Sequence, residues 1–393
     1  MAGMQTENAQ ELNDFSKGSI ARNILSLALP MTLAQLINVM YSIVDRIYIG
    51  HIPDASTYPL TGIGLCLPII TIITAFANLF GMGGAPLCSI ARGGHEEDRA
   101  QKVMGNSFSM LLISGAVLMI LCLIFKEPLL FIFGASEATY PYADQYITIY
   151  LCGTLFVMTS LGMNNFINAQ GFGKTGMLTV LLGAVLNIIL DPVLIFGFGM
   201  GVQGAAVATV ISQGASAVWV LKFLCGRKAL LKLTRKSMLL QAGLVKEITL
   251  LGTSGFVMSV TNGTVQIVCN AVLARHGGDL YVGIMTVINS VREIITMPVT
   301  GLTSGAQPVI GYNYGAGCYD RVKSAIKFIS VGCVVFSFVM WAVLFFEPQF
   351  FLQLFTKESE LIREGIPAMR IYFCGIFMMA LQFAGQSTYV ALN

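Results

Sequence analysis

Gly183-Ala-Val-Leu-Asn187-Ile-Ile-Leu-Asp191-Pro192-Val-Leu-Ile-Phe-Gly-Phe198 reads as an apolar helix with a carboxylate inside it. A second apolar helix starts at Gly204 and runs past Gln213, beyond the turn Gly199-Met200-Gly201. A carboxylate within an apolar helix costs several kcal/mol by most measures, so Asp191 points to function. Asn187 lies one turn earlier on the same face. Pro192 lacks the amide that would bond the carbonyl of Ile188, which leaves an acceptor beside the acid. Two side chains four apart and a loose carbonyl make an oxygen-rich pocket suited to a proton or a small hard cation.

The rest of the chain supplies the setting. Its 393 residues are 55% hydrophobic and 11% charged, with a mean hydropathy of +0.75. Soluble domains hold about 25% charged residues, so an all-α polytopic membrane protein in a lipid bilayer is expected. Apolar segments long enough to span recur at 20–49, 60–91, 103–125, 146–169, 177–198, 204–224, 248–274, 280–310, 325–346 and 368–392. Ten spans are predicted. Basic residues gather in the even-numbered connectors, above all Lys222, Arg227, Lys228, Lys232, Arg235, Lys236 and Lys246. These connectors, and with them the N-terminus, are therefore expected to face the cytoplasm.

Sliding the chain by 222 residues reveals a repeat. Gly83-Gly-Ala-Pro86 falls on Gly305-Ala-Gln-Pro308, and Ile149-Tyr-Leu-Cys-Gly153 on Ile371-Tyr-Phe-Cys-Gly375; with a two-residue slip Phe125-Lys-Glu-Pro128 meets Phe345-Phe-Glu-Pro348. Residues 1–19 then read as a polar cytoplasmic tail, 20–226 as a first lobe of six spans, 227–247 as a basic linker and hinge, and 248–393 as a second lobe. An even number of spans per half makes the repeat parallel, about an axis along the membrane normal. Asn393 is the repeat partner of Gly171, so the second lobe has four of six spans here. A polypeptide continuing for on the order of 50 residues, two further spans, is expected.

Polar stripes run through the spans. Gln35, Asn38, Ser42 and Asp45 share one helical face; Ser259, Asn262, Gln266 and Asn270 form a second stripe; Asn289, Glu293, Thr296 and Thr300 a third; Asn164, Asn165 and Asn168 cluster in span four. The amide stripes fit interhelical glue or a wet cavity equally well. Asp45 and Asp191 point to function, whereas Arg292 beside Glu293 suggests an ion pair and Arg46 can snorkel to the interface.

Signals of enzyme chemistry fail on context. Gly171-Phe-Gly-Lys-Thr-Gly176 satisfies GxGxxG but follows a membrane span rather than a strand. The nine cysteines include no CxxC, and His51, His95 and His276 are far apart, so neither a metal site nor an enzyme is expected.

Leu29-Pro30, Asp45, Asn187-Ile-Ile-Leu-Asp191-Pro192, Gly204-Ala-Ala…Ala208-Thr209 and Gln307-Pro308…Tyr312-Asn-Tyr-Gly-Ala316 together resemble the MATE (multidrug and toxic compound extrusion) transporters, and within them the bacterial DinF-like and MepA-like branch. The resemblance covers all but the N-terminal tail. It implies twelve spans in two six-helix lobes around a central cavity, in a bacterial inner membrane. Na+ or H+ would drive export of hydrophobic organic cations, with no cofactor besides that ion and no nucleic-acid partner. The cation site of that branch falls here on Asp45, Asn187, Asp191 and Thr209. Gln35, Asn38, Ser42, Asn164, Asn168, Asn262, Gln266, Asn289 and Glu293 are the expected cavity lining. Another branch uses carboxylates on spans seven and ten; this chain has no Asp or Glu in 248–274 or 367–393. A pseudo-symmetric pair of lobes is expected to work as a monomer. The alternative is a flippase for lipid-linked oligosaccharide or peptidoglycan precursors, whose phosphates would want an arginine-lined cavity.

Overall fold

Apolar side chains face outward along the first helix, α1 (Ile20–Gly50). Leu29, Leu33, Leu36, Met40, Ile43 and Ile47 recur every three or four residues and are exposed, as a lipid-facing stripe must be. The computed structural model describes residues 14–50, 58–355 and 359–392. Among them no strand occurs.

The first lobe continues with α2 (Tyr58–Gly93), α3 (Glu97–Ile132), α4 (Tyr140–Cys152), α5 (Thr154–Ala169), α6 (Gly173–Pro192) and α7 (Gly201–Leu224). The second contains α8 (Ala242–Gly315), α9 (Tyr319–Phe346), α10 (Pro348–Phe355), α11 (Ser359–Phe373) and α12 (Ile376–Leu392). Among the described residues seven helices are long and apolar enough to cross a membrane, nine if each of two bent pairs counts as one span.

α8 must double back on itself. A Cβ on Gly252 would strike the carbonyl of Leu79, and one on Gly315 the carbonyl of Ile90. Leu79 and Ile90 are about 16 Å apart along α2, whereas a straight helix from Gly252 to Gly315 would reach about 95 Å. Ala242–Asn262 of the outgoing arm is long and apolar enough to be the seventh expected span, and the returning arm covers the stretch expected as the eighth.

The repeat is visible in the packing. α4 and α5 meet at 57° across Gly153, and α11 and α12 meet at 42° across Cys374-Gly375; these glycines are repeat partners. A Cβ on Gly93 would overlap the Tyr312 carbonyl, and one on Gly315 the Ile90 carbonyl. The offset of 222 exchanges these two contacts, so a local two-fold axis passes between them. Gly301 lies equally close to Thr32, and Gly305 to Ala28. All these crossings sit at the end of the bundle where α1 begins. A core of Ile24, Leu27, Ala28, Ala306, Val309, Ile310, Ala384 and Ala391 fills the same end.

The segments read as a tail and a linker are both docked. Of the N-terminal tail, Phe15 is 3% exposed and meets the Tyr312 ring edge-on at 5.7 Å. Asn313 Nδ2 and Arg321 donate to the Phe15 carbonyl at 3.1 and 2.9 Å. Arg321 also donates to the carbonyls of Lys17 and Gly18. The basic connector after α7 is likewise pinned to the first lobe. Leu231 N–H donates to Gln170 Oε1 at 2.9 Å, Gln241 N–H to Asn106 Oδ1 at 2.7 Å, and Ser109 Oγ to the Met238 carbonyl at 2.7 Å. The connector is strapped to the first lobe along its length.

Candidate functional site

α6 ends as the opening stretch requires. Pro192 closes the α-helical pattern and the chain widens into a π turn over Val193–Gly197, a local form common at functional sites. Gly199 and Gly201 then adopt φ of 64° and 54°, a region glycine enters without cost. The turn reverses the chain so that α7 lies against α6. A Cβ on Gly204 would sit 2.8 Å from Leu194 C.

Asp191 is fully buried, with Asn187 1% and Thr209 4% exposed. With its amide nitrogen turned to the acid, Asn187 donates to Asp191 Oδ2 at 2.9 Å and accepts from Thr209 N–H at 3.3 Å. Thr209 Oγ1 donates to the Ala205 carbonyl at 3.0 Å. Asp45, from α1, lies within side-chain hydrogen-bonding reach of Asp191. Two carboxyl groups this close cannot both keep an uncompensated charge. The site therefore gathers Asp45, Asn187, Asp191 and Thr209 from α1, α6 and α7.

Three tyrosines were not anticipated. Tyr41 and Tyr146 approach Thr209 and Asp45, and Tyr146 stacks on Tyr150 at 6.1 Å. Tyr41 is one turn before Asp45, a spacing that could have flagged it. Nothing in the sequence ties Tyr146 and Tyr150, on α4, to this pocket.

A separate central cavity of about 640 Å³ lies between the lobes, within the usual range for small-molecule sites. Gln35, Asn38, Asn168, Asn262 and Glu293 line it, together with Met31, Met82, Met258 and Met297. Glu293 is the one Asp, Glu, Lys or Arg among its described lining residues. Among the described residues no ion pair joins Glu293 to Arg292, so the pairing expected from their adjacency is not made. Thr300 Oγ1 donates to Gln35 Oε1 at 2.9 Å across the lobes.

The remaining expected lining residues lie elsewhere. Asn164 faces a smaller chamber within the first lobe. Ser42 turns its hydroxyl back to the Asn38 carbonyl at 2.9 Å, and Asn289 lines neither cavity. The Gln266 and Arg46 side chains lie outside the described residues. A shared face on one helix did not fix which cavity each residue meets, because neighbouring helices partition that face.

The MatE family pattern matches residues 30–193 and 255–393. The chain belongs to the MatE family. Multidrug export protein MepA of Staphylococcus haemolyticus is 29% identical over 376 residues, covering 95% of this MatE chain and 82% of that protein. MepA of Staphylococcus aureus is 27% identical over the same span. A crystal structure described as MATE in the straight conformation superposes with a TM-score of 0.89 at 21% identity, covering 98% of this chain and 85% of that one. A multidrug resistance MATE family transporter in an outward-facing conformation gives 0.85 at 22%, covering 97% and 86%. Such identities speak to the fold: two pseudo-symmetric helical lobes. The MatE chain is thus a multi-pass membrane protein whose relatives are multidrug exporters.

Proposed function

We propose that this chain is a secondary antiporter that exports hydrophobic organic cations in exchange for Na+ or H+. One observation carries the reading: two carboxyl groups are held together inside the first lobe, while a single acid, Glu293, faces a separate inter-lobe cavity. The pair is the coupling site and the cavity is the cargo site.

The buried pair needs compensation, and either a proton on one carboxyl or a Na+ between them supplies it. For Na+, Asn187 would turn its amide oxygen toward the ion and give up its bond to Asp191. Helix α1 connects the two sites, because Asn38 and Gln35 face the cavity and Asp45 is one of the pair. Neutralising the pair changes what α1 packs against, and α1 also meets α8 at Gly301 and Gly305. A ligand shifts a conformational equilibrium only by its differential affinity for the two states. Here ion and cargo would bias the same helix from opposite sides. With the basic connectors in the cytoplasm, the glycine crossings close the cytoplasmic end, and the arrangement is outward-facing in a bacterial inner membrane.

The cavity lining also favours cationic cargo over a phosphorylated lipid, since its charged liner is acidic and its methionines offer an adaptable apolar surface. The test uses everted vesicles with Na+ and pH gradients imposed separately. The parent should accumulate a cationic dye under one gradient or both. Asp191→Asn should abolish gradient-driven uptake while the protein stays folded in the membrane. Unchanged uptake in that variant would exclude the acid pair as the coupling site.

A further inference from the structure

Beside the acid pair, a chamber of about 70 Å³ runs between α1, α5, α6 and α7, with Asn38 and Tyr41 of α1 in its wall. It has room for at least two waters, at about 30 Å³ each. Asn187 and Thr209, which hold Asp191, form one end of its lining. From there it descends past Gly183 and Ser212 to Thr179, Ser216 and Asn164. Asn187 to Thr179 is about 12 Å along α6, toward that helix's first residue. No Asp, Glu, Lys or Arg lines it.

Its polar groups are incompletely satisfied. Ser212 is 2% exposed, and its Oγ has no hydrogen-bond partner among the described residues. The same holds for Asn164 Oδ1 and for Asn168 Oδ1 just beyond. Other hydroxyls in the chamber are occupied: Ser216 Oγ donates to the Thr179 carbonyl at 3.1 Å, and Ser160 Oγ to Gln213 Oε1 at 2.7 Å. At the far end Asn164 Nδ2 donates to the Gly176 carbonyl at 3.3 Å, and the Asn164 and Asn168 oxygens both crowd the space a Gly176 side chain would take. Buried amide oxygens without donors are sites for water or for a cation. The Asn164 and Asn168 oxygens can only accept, so water or a cation fits them and an anion does not.

We propose that this chamber is the inner half of the coupling ion's route. It is a hydrated, uncharged passage for Na+ or a proton, leading from the acid pair to the α6 N-terminal end, with Asn164, Gly176 and Asn168 as its plug. The inference rests on the acid-pair reading and deepens it. The passage lies within the first lobe and adjoins the inter-lobe cargo cavity at Asn38, which lines both, and at Asn168 of the plug, which lines the cargo cavity.

The test compares Ser212→Thr with Ser212→Val in the full chain in proteoliposomes. These side chains have nearly the same shape and differ in the hydroxyl. The readout is ethidium transport against imposed Na+ or pH gradients, as maximal rate and as half-saturating ion concentration. The valine variant should lose about tenfold or more in rate relative to the threonine variant, with half-saturation changed by less than about twofold. Asn164→Leu should reproduce the valine result and serves as the second variant if valine at 212 prevents folding. Equal rates for valine and threonine, whether high or low, would make the hydroxyl a packing group and overturn the passage. If Asp191→Asn still couples, the acid-pair reading fails on its own evidence.

Discussion

Gly153 and Gly375 occupy the same place in the two lobes, and each marks a bent span. Their surroundings differ. A Cβ on Gly153 would meet Val210 Cγ2 of α7 at 2.6 Å, whereas nothing lies within 4 Å of one on Gly375. The acids divide in the same way. The first lobe seals Asp191 among Asn187, Thr209 and Asp45, while the outgoing arm of α8, the repeat partner of α1, has no Asp or Glu over 248–274. In the second lobe Glu293 faces the shared cavity. A duplicated scaffold has thus been filled unequally, with a tight, polar-centred lobe beside a looser, apolar one. Coupling in the first and cargo recognition between the two is the division of labour that this asymmetry supports.

The sharpest way to break the comparison is to remove charge from each side in turn. Asp45→Asn should reduce ion-driven dye transport by about a hundredfold or more, because the remaining acid no longer has a partner with which to share a cation. Glu293→Gln should raise the half-saturating dye concentration about tenfold and leave ion dependence unchanged, as loss of one charge contact in a wet cavity would. The measurement is initial rate in proteoliposomes over a matrix of dye and ion concentrations. If Glu293→Gln alters ion dependence while Asp45→Asn alters only dye affinity, the assignment of the lobes is reversed.

A smaller effect tests the packing difference directly. Gly153 has φ −87° and Gly375 is not among the positive-φ glycines, so the backbone admits alanine at both. Gly153→Ala should cost about 1–3 kcal/mol through overpacking against Val210. Gly375→Ala should lie within about 0.5 kcal/mol of the parent. Thermal unfolding in detergent reads both. Equal losses would mean that the bends, not their neighbours, set the requirement for glycine.

Much of this was legible in the sequence because the bilayer enforces it. Apolar runs give the spans, basic connectors suggest their orientation, and an acid inside an apolar run stands out against its energetic cost. The repeat matched Gly153 with Gly375, but the bends at both and the Gly93–Gly315 crossing emerged only from the packing. What escaped was contact made through backbone atoms. Asn106 and Ser109 look like ordinary polar residues of span three, yet they pin the connector by bonding its carbonyls and amide. Periodicity also placed Asn164 with the cavity-lining amides, although it bonds the Gly176 carbonyl of α6 and lines the smaller chamber instead. A helical face is one-dimensional information, and partition among cavities needs the neighbouring helices.

The least effect is expected at the docked tail, where the lobes are tied at the surface rather than through the core. Partial burial works against ionisation of Asp14, but hydrogen bonds from Ser16, Lys17 and Tyr312 outweigh it and hold the carboxyl below its usual value. The Tyr312 hydroxyl donates to Asp14 Oδ1 at 3.2 Å, and Arg92 of α2 stands over the same tyrosine ring at 5.4 Å. Asp14 thus joins the tail to a ring that both lobes touch. Because its folded pKa is lowered, its contribution is complete above the ordinary aspartate value of about 3.9 and is lost as pH falls through the folded value. Asp14→Asn should therefore lower the unfolding temperature slightly at pH 7, by less than Gly153→Ala does. The gap between parent and variant should close as the pH is taken below about 4. Arg321→Met removes the donor to three tail carbonyls at once and should exceed Asp14→Asn at pH 7, with its deficit persisting in acid because arginine does not titrate there. If the two deficits instead vanish together in acid, the carboxylate rather than the guanidinium anchors the tail, and Tyr312 becomes the link between the lobes that matters most.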